Sequence, residues 1–200
     1  SSMAYGVSLF FSDNIIIDSV KVSRNTVGVF SYACRDIIIH DAEIQSCGTA
    51  IYMENASSCE FNNIIIANVS TGLFYNRCIG VYINNIESRV VDESSIMIMN
   101  CSDVHVSQGK IMYSTYGIVV INTSLIQISS VCVENTDYSF LVNSTTLCRL
   151  ENIGISHGIN GIILTKLMEA HMEGISIYSC EYPIYAYNIS ILDMSDLNIE

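Results

Sequence analysis

Asp36-Ile37-Ile38-Ile39-His40-Asp41-Ala42-Glu43-Ile44 reads as two short strands around a corner. Ile37 and Ile39 are spaced by two, and so are Ala42 and Ile44, which puts each apolar pair on one face of a strand. The spacing breaks at His40-Asp41, and Asp tolerates the left-handed backbone of a tight corner. Upstream, Gly28-Val29-Phe30-Ser31 supplies a third strand behind a residue with no side chain.

This unit recurs along the chain. Starting from Ile15 of Asn14-Ile15-Ile16-Ile17, steps of 22 residues reach Ile37, Cys59 and Val81. One step of 23 reaches Val104, and steps of 22 then reach Ile126, Cys148, Ala170 and Leu192. Two residues after each of these anchors stand Ile17, Ile39, Phe61, Ile83, Val106, Ile128, Leu150, Met172 and Met194, all apolar. At the corner four residues after it stand Ser19, Asp41, Asn63, Asn85, Gln108, Ser130, Asn152, Gly174 and Asp196. Before the first strand come Gly6, Gly28, Ala50, Gly72, Ser95, Gly117, Ser139, Gly161 and Pro183, where little side chain fits. The extra residue of the long step falls near Asp92-Glu93.

Three short strands and three corners in about 22 residues close one triangular coil. The pattern predicts an all-β solenoid, a right-handed parallel β-helix of about nine coils in one domain over residues 1–200. Coils stacked about 4.8 Å apart make a rod on the order of 43 Å long. The units quoted above resemble right-handed parallel β-helix repeats of the pectate-lyase-like superfamily, of phage tailspikes and of surface and sheath proteins. That resemblance covers nearly the whole chain. It implies the fold, and with it either a structural surface role or action on carbohydrate, since this fold hosts many activities.

Composition agrees. Half of the residues are apolar and 14% are charged, which excludes a disordered chain. No apolar run approaches a membrane-spanning length, so no transmembrane segment is expected. With only eight Lys and Arg and a net charge of −12, nucleic acid is not an expected partner. The chain opens Ser1-Ser2-Met3 without a signal peptide and ends within a strand, so a segment of a larger chain or an uncapped polymer subunit is expected.

Outward positions separate the faces. Beside the anchor the outward series is Ile16, Ile38, Glu60, Tyr82, His105, Gln127, Arg149, His171 and Asp193, a mixed face that reads as solvated. The first strand instead shows Phe30, Tyr52, Phe74, Met97, Val119, Leu141, Ile163 and Tyr185, flanked by Tyr32, Met99, Ile121 and Tyr187. Soluble monomers seldom expose so long an apolar strip. Aromatic and Met enrichment marks interface cores. Lateral self-association is expected through this strip, with cover by a terminal segment as the alternative.

Cys59 and Cys148 occupy the inward anchor ladder, and free cysteine is a good small core filler. Cys78 and Cys101 hold equivalent positions on adjacent coils, about 5 Å apart and inside disulfide range. Cys132 points outward, placed for a cross-link between chains. The sequon asparagines Asn55, Asn100, Asn122 and Asn188 share one corner, either as a structural ladder or as glycan acceptors. No cofactor, metal or catalytic residue is expected. Asp13, Arg35 and Asp36 form the best acidic-basic cluster, and His105 and His171 stand too far apart for one metal. The expected role is an extracellular or cell- or virion-surface structural protein that assembles with itself. The alternative is a carbohydrate-binding or carbohydrate-cleaving module.

Overall fold

The structure, a computed structural model, describes residues 4–200. Its strands are β1 Tyr5–Phe10, β2 Asp13–Asp18, β3 Lys21–Ser23, β4 Val27–Tyr32, β5 Arg35–Gln45, β6 Thr49–Glu54, β7 Ser57–Val69, β8 Thr71–Asn76, β9 Ile79–Met99, β10 Ser102–Ile121, β11 Leu125–Asn143 and β12 Leu147–Ile199. Every pairing between them is parallel. The anchor ladder runs Ile15, Ile37, Cys59, Val81, Val104, Ile126, Cys148, the register read from the sequence. The chain is a parallel β-helix.

Two features differ from the sequence reading. The three strands of a coil do not stay short and separate: β5 already fuses two of them, and from Ile79 onward all three run together. The reason lies in the corner residues. All nine residues from Ser19 to Asp196 in the corner series have positive φ, between 51° and 65°. One left-handed residue turns the chain sharply enough that ladder hydrogen bonds resume at once. The number of turns is about seven rather than nine. Fully buried packing extends from Val22 to Ile177, because a coil closes its core only when covered on both sides. In the last stretch Leu192, Met194 and Leu197 are exposed, and at the first coil Ile15 and Ile17 are only half-buried.

The core is a stack of like-on-like ladders. Ile39, Phe61, Ile83, Val106, Ile128 and Leu150 sit one above another, none more than 1% exposed. The glycine corner is needed where adjacent coils touch. A Cβ at Gly72 would lie 2.2 Å from the carbonyl oxygen of Ser95, on the next coil. The extra residue is accommodated at Asp92-Glu93, since Ser114 faces Val91 while Tyr116 faces Ser94.

Near this irregularity the core takes in polar atoms. Ser88 stands in a ladder between Ile66 and Ile111, with its hydroxyl buried and unpartnered among the described residues. A buried unpaired hydroxyl destabilises the fold. Ser88→Ala should therefore raise the free energy of unfolding by about 1 kcal/mol in urea titration. A loss of stability would mean that Ser88 has a partner.

Candidate functional site

Before the first five anchors the corner residue also turns through left-handed backbone: Asn14, Asp36, Ser58, Gly80 and Asp103 have φ between 52° and 66°. This turn swings the corner side chain beside the outward residue two positions on. Thus His105 Nε2 lies 3.0 Å from Asp103 Oδ1, while His171 Nε2 lies 2.5 Å from Glu169 Oε1 without such a turn at Glu169. From Ser58 to His105 the corner and strand rows merge into one mostly polar face.

A groove runs along that face in three adjoining sections. The first is lined by Asp36, Ser58, Glu60, Gly80, Tyr82 and Asp103 among others, the second by Glu60, Asn62, Tyr82, Asn84, His105 and Ser107. The third continues past Tyr82 and His105 to Gln127, Arg149 and Glu151. The first two sections are open, overlapping depressions of about 450 and 420 Å³ that share Glu60 and Tyr82. Tyr82 belongs to all three.

Tyr82 and His105 occupy one ladder position on adjacent coils and stack with centroids 4.9 Å apart and planes 7° from parallel. Tyr82 donates its hydroxyl to Asp103 Oδ2 at 3.2 Å, so one carboxylate holds both rings. The hydrogen bond to Asp103 keeps the Tyr82 phenol above its ordinary value and protonated as a donor. Beside this group Asn62 donates to Glu60 Oε1 at 2.8 Å and meets His40 Nδ1 at 3.2 Å. Asn84 donates to Asn62 Oδ1 at 3.4 Å, and Ser107 to Asn84 Oδ1 at 3.2 Å. The groove thus combines a fixed aromatic pair, carboxylates and a chain of amides. It can bind a polyhydroxylated molecule by paired hydrogen bonds and ring contact.

Of the residues singled out in the sequence, Glu60, His105 and Asp36 come together in this groove. Arg35 turns away and pairs with Asp13, Nε to Oδ1 at 3.4 Å, at an exposed site. Asp103, which no spacing rule flagged, is the residue that organises the site.

His171 stands apart, between Glu169 and Asp193, whose Oδ2 is 3.6 Å from Nδ1. Its hydrogen bond to Glu169 raises its pKa, and the nearby Asp193 carboxylate adds to this. A raised folded pKa means that the stabilisation is full below the ordinary histidine range and is lost as pH rises through the folded value. In NMR titration the His171 imidazole should titrate above the ordinary range, and Glu169→Gln should bring it down. An unchanged midpoint would contradict the pairing.

On the first-strand face Phe30 stacks on Tyr52 at 5.4 Å and Tyr52 on Phe74 at 4.9 Å, both pairs 14° from parallel. The rings cover one another's faces and leave edges outward. Phe30, Tyr32, Tyr52, Phe74, Met97, Met99, Ile121, Leu141 and Ile163 are half-buried and Val119 is buried, while Tyr185 and Tyr187 are exposed. Cys78 and Cys101 are buried free thiols on adjacent coils, and Cys132 is an exposed one. Burial alone pushes the Cys148 thiol up to about 12, and burial first, with nearby Cys34 and Asp36, does the same for Cys59. Asn55, Asn100, Asn122 and Asn188 all sit exposed in left-handed corners. Asn100 donates to Asn76 Oδ1 at 3.0 Å and Asn122 to Asn100 Oδ1 at 3.5 Å, as rungs of a ladder.

The family model described as "Periplasmic copper-binding protein (NosD)" matches residues 1–92 and 47–194. The chain belongs to the NosD family. Overlapping placements on one NosD chain are what a solenoid allows, since any run of coils resembles the next. Among solved structures, a substituted catalytic domain of a GH87 α-1,3-glucanase in complex with tetrasaccharides aligns over 93% of this chain and 49% of its own, with a TM-score of 0.54 and 12% identity. A second structure of a GH87 α-1,3-glucanase catalytic domain, in complex with nigerose, aligns over 97% and 50% with a TM-score of 0.48 and 12% identity. The chain spans about half the length of these structures, and the likeness is one of fold. No curated protein matches the chain significantly.

Proposed function

We propose that this chain is an extracytoplasmic carbohydrate-binding β-helix module that holds a glycan along the groove centred on Tyr82. The observation that carries the reading is the stacked Tyr82–His105 pair locked by Asp103 beside Glu60. Sugar rings offer hydroxyls to carboxylates and amides, and apolar C–H faces to an aromatic ring. Tyr82 is 45% exposed and available for such contact. The fold likeness to a glucanase domain carrying oligosaccharides supports the reading, and the periplasmic description of the family supports the compartment. Asp36, Glu60 and Asp103 make the central groove negative, which selects a neutral glycan over a polyuronate.

Copper, which the family description names, does not fit the residues present. Among the described residues no three His, Cys, Asp or Glu side chains converge on one point to hold a metal ion, and the two acids beside His171 sit on opposite nitrogens of its ring. His40 and His105 are engaged with Asn62 and Asp103, and most of the cysteines are buried, Cys59 and Cys148 among them.

The test is calorimetric titration of the chain with neutral oligosaccharides, α-1,3-linked glucans included, and with oligouronates. Binding to a neutral glycan that Tyr82→Ala weakens at least tenfold, with the β-sheet circular dichroism intact, is expected. Absence of binding to any neutral glycan, or equal affinity in the variant, overturns the reading. Release of shorter sugars on incubation would extend the reading to cleavage by carboxylates of the groove.

A second reading rests on the first-strand face. The half-buried stack of Phe30, Tyr52 and Phe74, continued by Met97, Leu141 and Ile163, suits lateral contact with a second copy. Sedimentation velocity of Tyr52→Lys beside the parent chain tests it: a concentration-dependent oligomer lost in the variant is expected, and a monomer at every concentration contradicts it.

A further inference from the structure

We propose that Cys78 and Cys101 are a disulfide-forming pair that staples together the two coils carrying Tyr82, Asp103 and His105. The register pairs Ile79 with Ser102, so the cysteines just before them face each other across adjacent coils. Ser102 donates its N–H to the Cys78 carbonyl at 3.0 Å. Cys78 in turn donates its N–H to Cys101 Sγ at 3.3 Å, which brings the sulfur of one residue onto the backbone of the other. Parallel strands about 4.8 Å apart meet the Cα separation of disulfides, roughly 4.4–6.8 Å.

The remaining cysteines lack such a neighbour. In this corner ladder the position on the preceding coil is Ala56 and on the following one Thr123, while Cys59 stands between Ile37 and Val81 in its own ladder. The proximity of the two side chains raises the Cys78 thiol and lowers that of Cys101, which favours Cys101 as the thiolate, the attacking species in disulfide exchange. The pair also sits four residues before Tyr82 and His105 respectively, so the bond fixes the spacing of the stacked rings.

The step balances as an exchange. The Cys101 thiolate attacks a small-molecule disulfide and expels one thiol. Cys78, giving up its proton, then displaces the second thiol from the mixed disulfide. Two protein thiols lose two electrons and two protons to the reagent. Both side chains are buried, so the bond forms while the coils assemble.

The experiment is to refold the full chain with oxidised glutathione, alkylate free thiols under denaturing conditions, and digest without reduction for mass spectrometry. A linked Cys78–Cys101 peptide with the other six cysteines alkylated is the expected result. Alkylation of both, or linkage of either to a different cysteine, overturns the proposal. Cys78→Ala, a residue the same ladder already accepts at Ala56, should refold equally well and yield no cross-link to Cys101. A cross-link from Cys101 in that variant would count against the pairing. The oxidised chain should melt roughly 5–10 °C above the reduced one, and equal midpoints would mean that the bond does not join native neighbours.

Discussion

Replacing Phe61 by alanine should remove about 3–5 kcal/mol from the stability of the chain, the largest effect expected of a single truncation. Phe61 is fully buried between Ile39 and Ile83 in its ladder, and its ring meets Tyr75 at 5.4 Å in an edge-on arrangement. Alanine leaves a ring-sized void that neighbours on adjacent coils cannot fill, because backbone hydrogen bonds on both sides fix the coil spacing. The contrast lies one residue from the anchor on the outward side. Ile16 is 70% exposed, and Ile16→Ala should change stability by less than about 0.5 kcal/mol. Urea unfolding measures both. A similar loss at the two positions would contradict the inward and outward assignment on which the fold rests.

Asp103→Ala should lower affinity for the glycan about ten- to a hundredfold, the range that loss of hydrogen bonds to a charged acceptor implies. Asp103 accepts from the Tyr82 hydroxyl on one oxygen and bonds His105 on the other. Without it the two rings keep their stack but lose the common tether that aims them, and the groove loses one carboxylate. Asp103→Asn keeps an acceptor oxygen and the side-chain shape, so it should recover part of the loss. Affinity by calorimetry, with thermal melting as a control, separates a local effect from unfolding. Equal affinity in the Asp103→Ala variant would remove Asp103 from the site.

The fold was legible because a solenoid repeats its instructions. Ile37 with Ile39 and Ala42 with Ile44 show the inward faces, the 22-residue spacing gives the register, and the corner series from Ser19 to Asp196 has left-handed backbone throughout. The single irregularity was also readable, since the register shift falls at Asp92-Glu93. About seven turns close rather than nine, and Leu192 and Met194, inward by their register, are exposed.

The site was far less legible. Glu60, Tyr82 and His105 follow strand alternation and were visible as an outward row, but a mixed polar row reads the same whether it binds a ligand or only meets water. Asp103 belongs to a corner, where alternation does not say which way a side chain points. The available signal was the companion spacing, an acid two residues before a histidine at both Asp103–His105 and Glu169–His171. On the opposite count, Phe30, Tyr52 and Phe74 read as an exposed strip because alternation ignores how identical positions on stacked coils cover one another.

Histidine imidazole NMR of the full chain during titration with the neutral oligosaccharide that binds is the most direct measurement of where the ligand lies. The chain has four histidines, and only His40 and His105 belong to the groove and its amide chain. The His105 signals should move on saturation, with a smaller change at His40, while His171 beside Glu169 stays in place. Binding that leaves His105 unmoved, or that shifts His171 instead, would contradict the groove around Tyr82 as the carbohydrate site.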